Sequence, residues 1–343
     1  MTILIRNAAL LLTSCAVAFG QAQPKTIFKE KIHLSDSEIQ QIDRGQIVIK
    51  LLDSGDPKYG ILAFGAVYVN APVSKFGTVM SDIHKLSENK VYKAFQEFSV
   101  NGAAPKLSDF DRLNFENKDI DELEKCKPGD CDIQIIDVAQ LQKAVNWKAP
   151  DKYAQANNFL REKVQQGMEA YLQGGLKAIG AYRDRSKPLN MYDATKGMID
   201  ASFFLSQDKA GPIYNEVINY PEAKVPGGSD FFYWEKIDFG QGPTNRVSHV
   251  MLFPQGAGIV KSMSANLQLY ASRYMRVALQ MYYCIPDTSN PGRPGFYLVE
   301  MNDSQMPDFG GIKLSIVRKI ASSKATDSTR DALTMYQKML EGQ

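Results

Sequence analysis

The stretch Tyr274-Met275-Arg276-Val277-Ala278-Leu279-Gln280-Met281-Tyr282-Tyr283-Cys284-Ile285 alternates with a period of two. Met275, Val277, Leu279, Met281, Tyr283 and Ile285 share one side, and Tyr274, Arg276, Ala278, Gln280 and Tyr282 share the other. Successive side chains of a strand point to opposite faces, so this pattern predicts a half-buried antiparallel strand with its first set in a core. Working outward, 286–295 is turn-rich and 296–302 reads as the next strand. Upstream, 231–239 and 246–253 are rich in aromatic and β-branched residues and are divided by Gly240-Gln241-Gly242-Pro243, a turn signal. Downstream, 310–341 carries Ile312, Ile316 and Ile320 and then Leu333, Tyr336 and Leu340. That spacing predicts a long terminal helix with a polar weak point at 322–327, although 312–316 also fits a strand.

The first third adds further elements. Ser35-Asp36-Ser37-Glu38 is a capping box, and Gly45 is a stop, so 34–44 predicts a short helix. Strands are predicted at 46–53, 59–70 and 132–136, with weaker ones at 91–100 and 112–116. Val73, Phe76, Val79, Met80 and Ile83 give 73–86 a helical spacing, and 119–125 reads as a short acidic helix. From 138 to 226 the pattern is helical. Its longest piece, about 151–185, carries the stripe Leu160, Val164, Met168, Tyr171, Leu172, Leu176 and Ile179. Gly167, Gly174, Gly175 and Gly180 interrupt it, and a bend or close packing is expected there. Shorter helices are predicted at 193–205 and 212–219.

The order of elements resembles START-like (SRPBCC) helix-grip domains. The local matches are Val69-Asn70-Ala71-Pro72-Val73-Ser74-Lys75-Phe76 and the closing segment from Gly310-Gly311 onward. The resemblance implies an α+β fold in which a curved antiparallel sheet wraps a long C-terminal helix. It also implies a place for a lipid or other apolar small molecule between sheet and helix; some members are enzymes. The domain plan is a 1–20 signal, a 21–45 extension, a START-like first part at 46–137, a helical insertion at 138–228 that departs from the family, and a second part at 229–343. The final helix is expected to cover Met275, Val277, Leu279, Met281 and Tyr283 with Leu333, Tyr336 and Leu340.

The N-terminus bears Arg6, an apolar run over 8–19, and small residues at Ala18, Gly20 and Ala22. This is the pattern of a cleaved secretory signal, and the run is shorter than the roughly 20 residues of a membrane span. The mature chain is expected in the periplasm or outside the cell. Leu12-Thr13-Ser14-Cys15 gives the alternative, a lipoprotein anchored at Cys15. No second long apolar run follows, so no membrane span is expected. Lys and Arg number 40 against 38 Asp and Glu, with no dense basic stretch, which argues against a nucleic-acid partner. His33, His84 and His249 lack ligand-spaced neighbours, so no metal is expected. No cofactor motif is present: Gly310-Gly311 lacks the rest of a phosphate loop. Cys126-Lys127-Pro128-Gly129-Asp130-Cys131 places a Pro-Gly turn between two thiols, which predicts a disulfide in an oxidising compartment; Cys284 is expected as a buried thiol.

No acid–base or nucleophile spacing nominates catalytic residues. The expected ligand-binding set is Phe231, Tyr233, Met251, Met275, Leu279, Met281 and Tyr283, an aromatic and methionine lining for an apolar molecule. The rival reading is a non-catalytic structural or protein-interaction domain, in which the same stripe is a solid core. His249 reads as a hydrogen-bonded core histidine.

Overall fold

The computed structural model describes residues 23–82, 84, 91–98, 104–128, 130–134, 137–183, 187–201, 211–238, 242–256, 258–288, 292–308 and 311–343. The signal expected at 1–20 lies outside them, as do 83 and 85–86 of the helix predicted at 73–86, 99–100 of the strand predicted at 91–100, 135–136 of the strand predicted at 132–136 and 202–205 of the helix predicted at 193–205.

The chain is α+β. Its long strands are β1 (Val48–Leu52), β2 (Gly60–Val69), β3 (Tyr92–Phe98), β6 (Ser229–Asp238), β7 (Pro243–Phe253), β8 (Ser262–Ala271), β9 (Val277–Pro286) and β10 (Phe296–Gln305). They form one curved, open antiparallel sheet in the order β1-β2-β10-β9-β8-β7-β6-β3. Two-residue strands β4 (Ala181–Tyr182) and β5 (Leu189–Asn190) pair separately. The helices are α1 (Pro24–Glu30), α2 (Asp36–Asp43), α3 (Lys75–Ser81), α4 (Asn117–Lys125), α5 (Val138–Ala144), α6 (Lys152–Ile179), α7 (Met191–Ala201), α8 (Pro212–Asn219) and the terminal α9 (Gly311–Glu341). A sheet with a long C-terminal helix on it is compatible with a helix-grip fold.

Several local expectations hold. The Ser35 hydroxyl accepts from the Glu38 amide, and the Ser35 amide donates to the Glu38 carboxylate, closing the capping box of α2. The glycine-rich end of α6 bends at Gly174 and Gly175. Gly175 sits at φ +64°, and a Cβ there would lie 2.0 Å from the Tyr220 carbonyl oxygen, so only glycine admits this approach. Others do not hold. Residues 112–116 and 132–134 are irregular rather than strands, and α1 and β8 were not legible. The terminal helix runs unbroken through 322–327, where Thr326 satisfies its hydroxyl on the Ser322 carbonyl one turn back.

The main correction concerns which face of the sheet meets which layer. The period-two reading of β9 is right, but Val277, Leu279, Met281, Tyr283 and Ile285 turn away from α9. They join Phe64, Tyr297 and Met301 in a core shared with Phe28 of α1, Ile39 and Ile42 of α2, and Leu160, Met168 and Tyr171 of α6. The helical segment 138–228 therefore covers a face of the sheet instead of packing only on itself. Ala278, Gln280, Tyr282 and Cys284 face α9. The physical reason is area: the more apolar face of the sheet needs a broad cover, which several helices supply and one helix cannot.

Cys126 and Cys131 lie at bonding distance, 2.07 Å between sulfurs, at the end of α4. Cys284 is a buried free thiol. The loop closed by the pair is short, so replacing both cysteines with serine should lower stability by about 2 kcal/mol or less in a urea melt. Peptide mapping under non-reducing conditions should show the bridge.

Candidate functional site

Helix α9 is fixed along one side of the sheet. Leu333, Tyr336 and Leu340 are buried against Val67, Val69, Phe296 and Leu298. The Glu341 carboxylate accepts from the Asn70 amide at 2.9 Å, Lys75 Nζ donates to the Leu340 carbonyl at 3.0 Å, and Gln337 Nε2 donates to the Gly45 carbonyl at 3.1 Å. Gly65 on β2 makes the approach possible. A Cβ there would lie 2.5 Å from Thr329 Cγ2 and 2.6 Å from Leu333 Cδ1.

Pinned in this way, α9 leaves two cavities between itself and the sheet. The first, about 210 Å³, is mostly apolar: Ile61, Ala278 and Met306 on the sheet side meet Val317, Ile320 and Ala321 of α9. The second, about 230 Å³, is mixed: Tyr233, Ser264 and Asn266 on the sheet face Asp327, Asp331 and Tyr336 of the helix. Arg246, Gln280, Lys324 and Ser328 line both, so the two meet at one junction. Each alone is smaller than the roughly 300 Å³ at which small-molecule pockets begin, so a ligand of that size has to reach through the junction into both.

The sheet side of this groove is polar because alternate residues of successive strands stack there. Register pairs Glu235 with Arg246, Ser264 with Tyr282, and Gln280 with both Asn266 and Asn302. Arg246 donates through Nε and Nη2 to the same oxygen of Glu235, and the second Glu235 oxygen is buried without a partner. Burial opposes the guanidinium charge, but Glu235 beside it more than restores it. Asn266 Nδ2 donates to the Tyr233 hydroxyl at 2.8 Å, while its Oδ1 is buried and unpaired. Glu300 is fully buried, and burial pushes its carboxyl well above the usual range; Tyr282, Thr329 and Gln280 offset this only in part.

The expected ligand-binding set divides between the two faces. Tyr233 and Met275 line the cavities. Phe231 lies on the same face, packed with Tyr233 and Val250. Met251, Leu279, Met281 and Tyr283 lie on the opposite face, in the apolar core. The residues that sequence reasoning missed, Arg246, Asn266, Gln280, Asn302 and Ser304, are polar strand positions. Their signal was alternation itself, which marks them as one face, but a polar face normally meets water.

A second cluster occupies the opposite face. His249 is buried, with Nδ1 accepting from the Tyr171 hydroxyl at 2.8 Å and Nε2–H donating to Asp230 at 3.1 Å. Phe232 stacks on the ring at 4.2 Å and Tyr220 meets it edge-on at 4.5 Å. Burial holds His249 below its ordinary 6.5, against the pull of Asp230. Asp230 is drawn down to about 2, chiefly by the hydrogen bond from His249. The Tyr171 ring is fully enclosed, so this Tyr-His-Asp chain fastens α6 to β7, as expected of a core histidine. The unfolded chain takes up a proton near pH 6.5 that the folded ring refuses, so stability should fall as pH drops below that value. Melts at pH 7.5 and pH 5.5 should show the fall in the parent and a smaller one in His249→Gln, whose side chain is neutral throughout.

Among the described residues no group of three or more His, Cys, Asp or Glu is placed to hold a metal ion, and no helix is long and apolar enough to cross a membrane. No protein-family model matches the chain, and no curated protein or solved structure matches it either.

Proposed function

We propose that this chain is an exported START-like binding module that holds an amphipathic small molecule or lipid between the sheet and α9. The observation that carries this reading is the groove itself: an apolar end under Val317, Ile320 and Ala321, a polar end around Tyr233 and Asn266, and a junction at Arg246 and Gln280. Such a gradient suits a molecule with a tail and a head better than a uniformly apolar one. Asn266 Oδ1, a buried acceptor left unpaired at the polar end, is stabilised by a ligand that brings a donor. Export is supported by the N-terminal pattern at Arg6 and Ala18–Gly20–Ala22, and by a cysteine pair of the kind that persists in oxidising compartments. The rival, an interaction domain with a solid core, describes the opposite face well but leaves the groove without a role.

The test is native mass spectrometry of protein exported by its host. The parent should carry a co-purifying amphiphile, and Ala325→Trp, which fills the groove from the helix side, should not. A parent free of bound molecules, with no uptake of added amphiphiles, would favour the interaction domain.

A further inference from the structure

The groove has a sign as well as a polarity. Around the second cavity the carboxylates of Asp238, Asp327 and Asp331 outnumber the two cations, Arg246 and Lys324. Arg246 is already committed to Glu235, a fully buried carboxylate, so the pair adds no net positive charge to attract an anion. Among the side chains that line this cavity, the buried polar atom left unpaired is Asn266 Oδ1, an acceptor. Tyr233, Tyr282 and Tyr336 line the same cavity, and each of these rings is at least nine-tenths buried. Carboxylates, an orphan acceptor and aromatic rings together favour a cation that donates hydrogen bonds, and they disfavour a carboxylate or phosphate.

We propose that the ligand is a cationic amphiphile whose amine or ammonium head sits in the cavity between Asn266, Tyr336 and Asp331, with its chain in the apolar cavity beneath Val317 and Ile320. This rests on the binding reading above and adds the charge of the head. It also gives the two cavities separate duties: the apolar one supplies affinity for any chain of sufficient length, and the mixed one discriminates between heads.

Calorimetric titration of the full-length protein with three probes of one chain length, dodecylammonium, dodecanoate and dodecyl maltoside, below their micellar concentrations, tests both parts. Dodecylammonium should bind ~10-fold or more tighter than dodecanoate, as one or two desolvated cation contacts imply. Asn266→Leu should erase that preference, bringing dodecylammonium to the affinity of dodecanoate. Asn266→Asp, nearly isosteric and more acidic, should strengthen it, so a misfolded leucine variant does not leave the matter open. Equal affinity for the three heads, or tighter binding of dodecanoate, overturns the cationic head and leaves the binding module standing. No binding of any probe overturns both.

Discussion

Gly65→Val should destabilise the protein by roughly 2–4 kcal/mol, more than an ordinary overpacking, because nothing at that point can yield cheaply. The added Cβ alone would meet Thr329 Cγ2 at 2.5 Å and Leu333 Cδ1 at 2.6 Å. Both residues are fully buried, and threonine is β-branched, so neither side chain can swing aside. The strain must move α9, and moving α9 uncovers Leu333, Tyr336 and Leu340 together. β-propensity works in the opposite direction, since valine suits a strand better than glycine. A large loss therefore reports the helix contact and nothing local. Gly77 is the control: a Cβ there meets nothing within 4 Å, so Gly77→Ala should be neutral or stabilise α3 by up to ~1 kcal/mol. Urea melts of the two variants beside the parent measure the difference. A Gly65→Val protein as stable as the parent would mean that α9 does not rest on β2.

The elements legible in the sequence were those whose chemistry is local or whose one face is strongly apolar. The capping box at Ser35 and Glu38, the bend at Gly174 and Gly175, the alternation of β9 and the Leu333, Tyr336, Leu340 stripe each carry their own signal. β8 shows what escapes. Its alternation is complete: Met263, Ala265, Leu267 and Leu269 face the core, and Ser262, Ser264, Asn266 and Gln268 alternate with them. Serine, alanine, asparagine and glutamine are weak strand formers, so the segment read as no element at all. The same polar residues make the groove, which is why a strand and a candidate site were missed together.

The assignment of faces failed for a related reason. Periodicity tells which residues of β9 share a side, but not which neighbour covers that side. The stripe Leu333, Tyr336 and Leu340 of the terminal helix can supply part of an apolar partner, and the sequence pattern does not show that it faces the other side. The cover instead comes from α1, α2 and the segment 138–228, whose long helix α6 brings Leu160, Met168 and Tyr171 from a stretch far from β9 in sequence, so nothing local marks the two as partners. Polar positions such as Gln280 and Asn302 looked solvated because a strand beside water and a strand beside a half-filled groove have the same sequence pattern.

Two neighbours on β9 now separate core from groove. Ala278 lines the apolar cavity and Leu279, one residue on, is buried among α-helices on the other side. Ala278→Trp should fill the cavity, reduce amphiphile uptake at least ~10-fold, and leave stability near the parent's, since open volume accepts the ring at little cost. Leu279→Trp should cost roughly 1–3 kcal/mol or more, because the ring enters closely packed surroundings, and the fraction that remains folded should bind as the parent does. Comparable losses of stability in both variants would place Ala278 in a solid core as well.

The most direct measurement is a fluorescent-amphiphile titration of the parent and Ala278→Trp in parallel, with a melt of each. Saturable one-to-one binding by the parent, lost in a variant that melts like it, is the result expected of a groove that holds a ligand. Absent saturable binding by the parent, or equal binding by both, would contradict it.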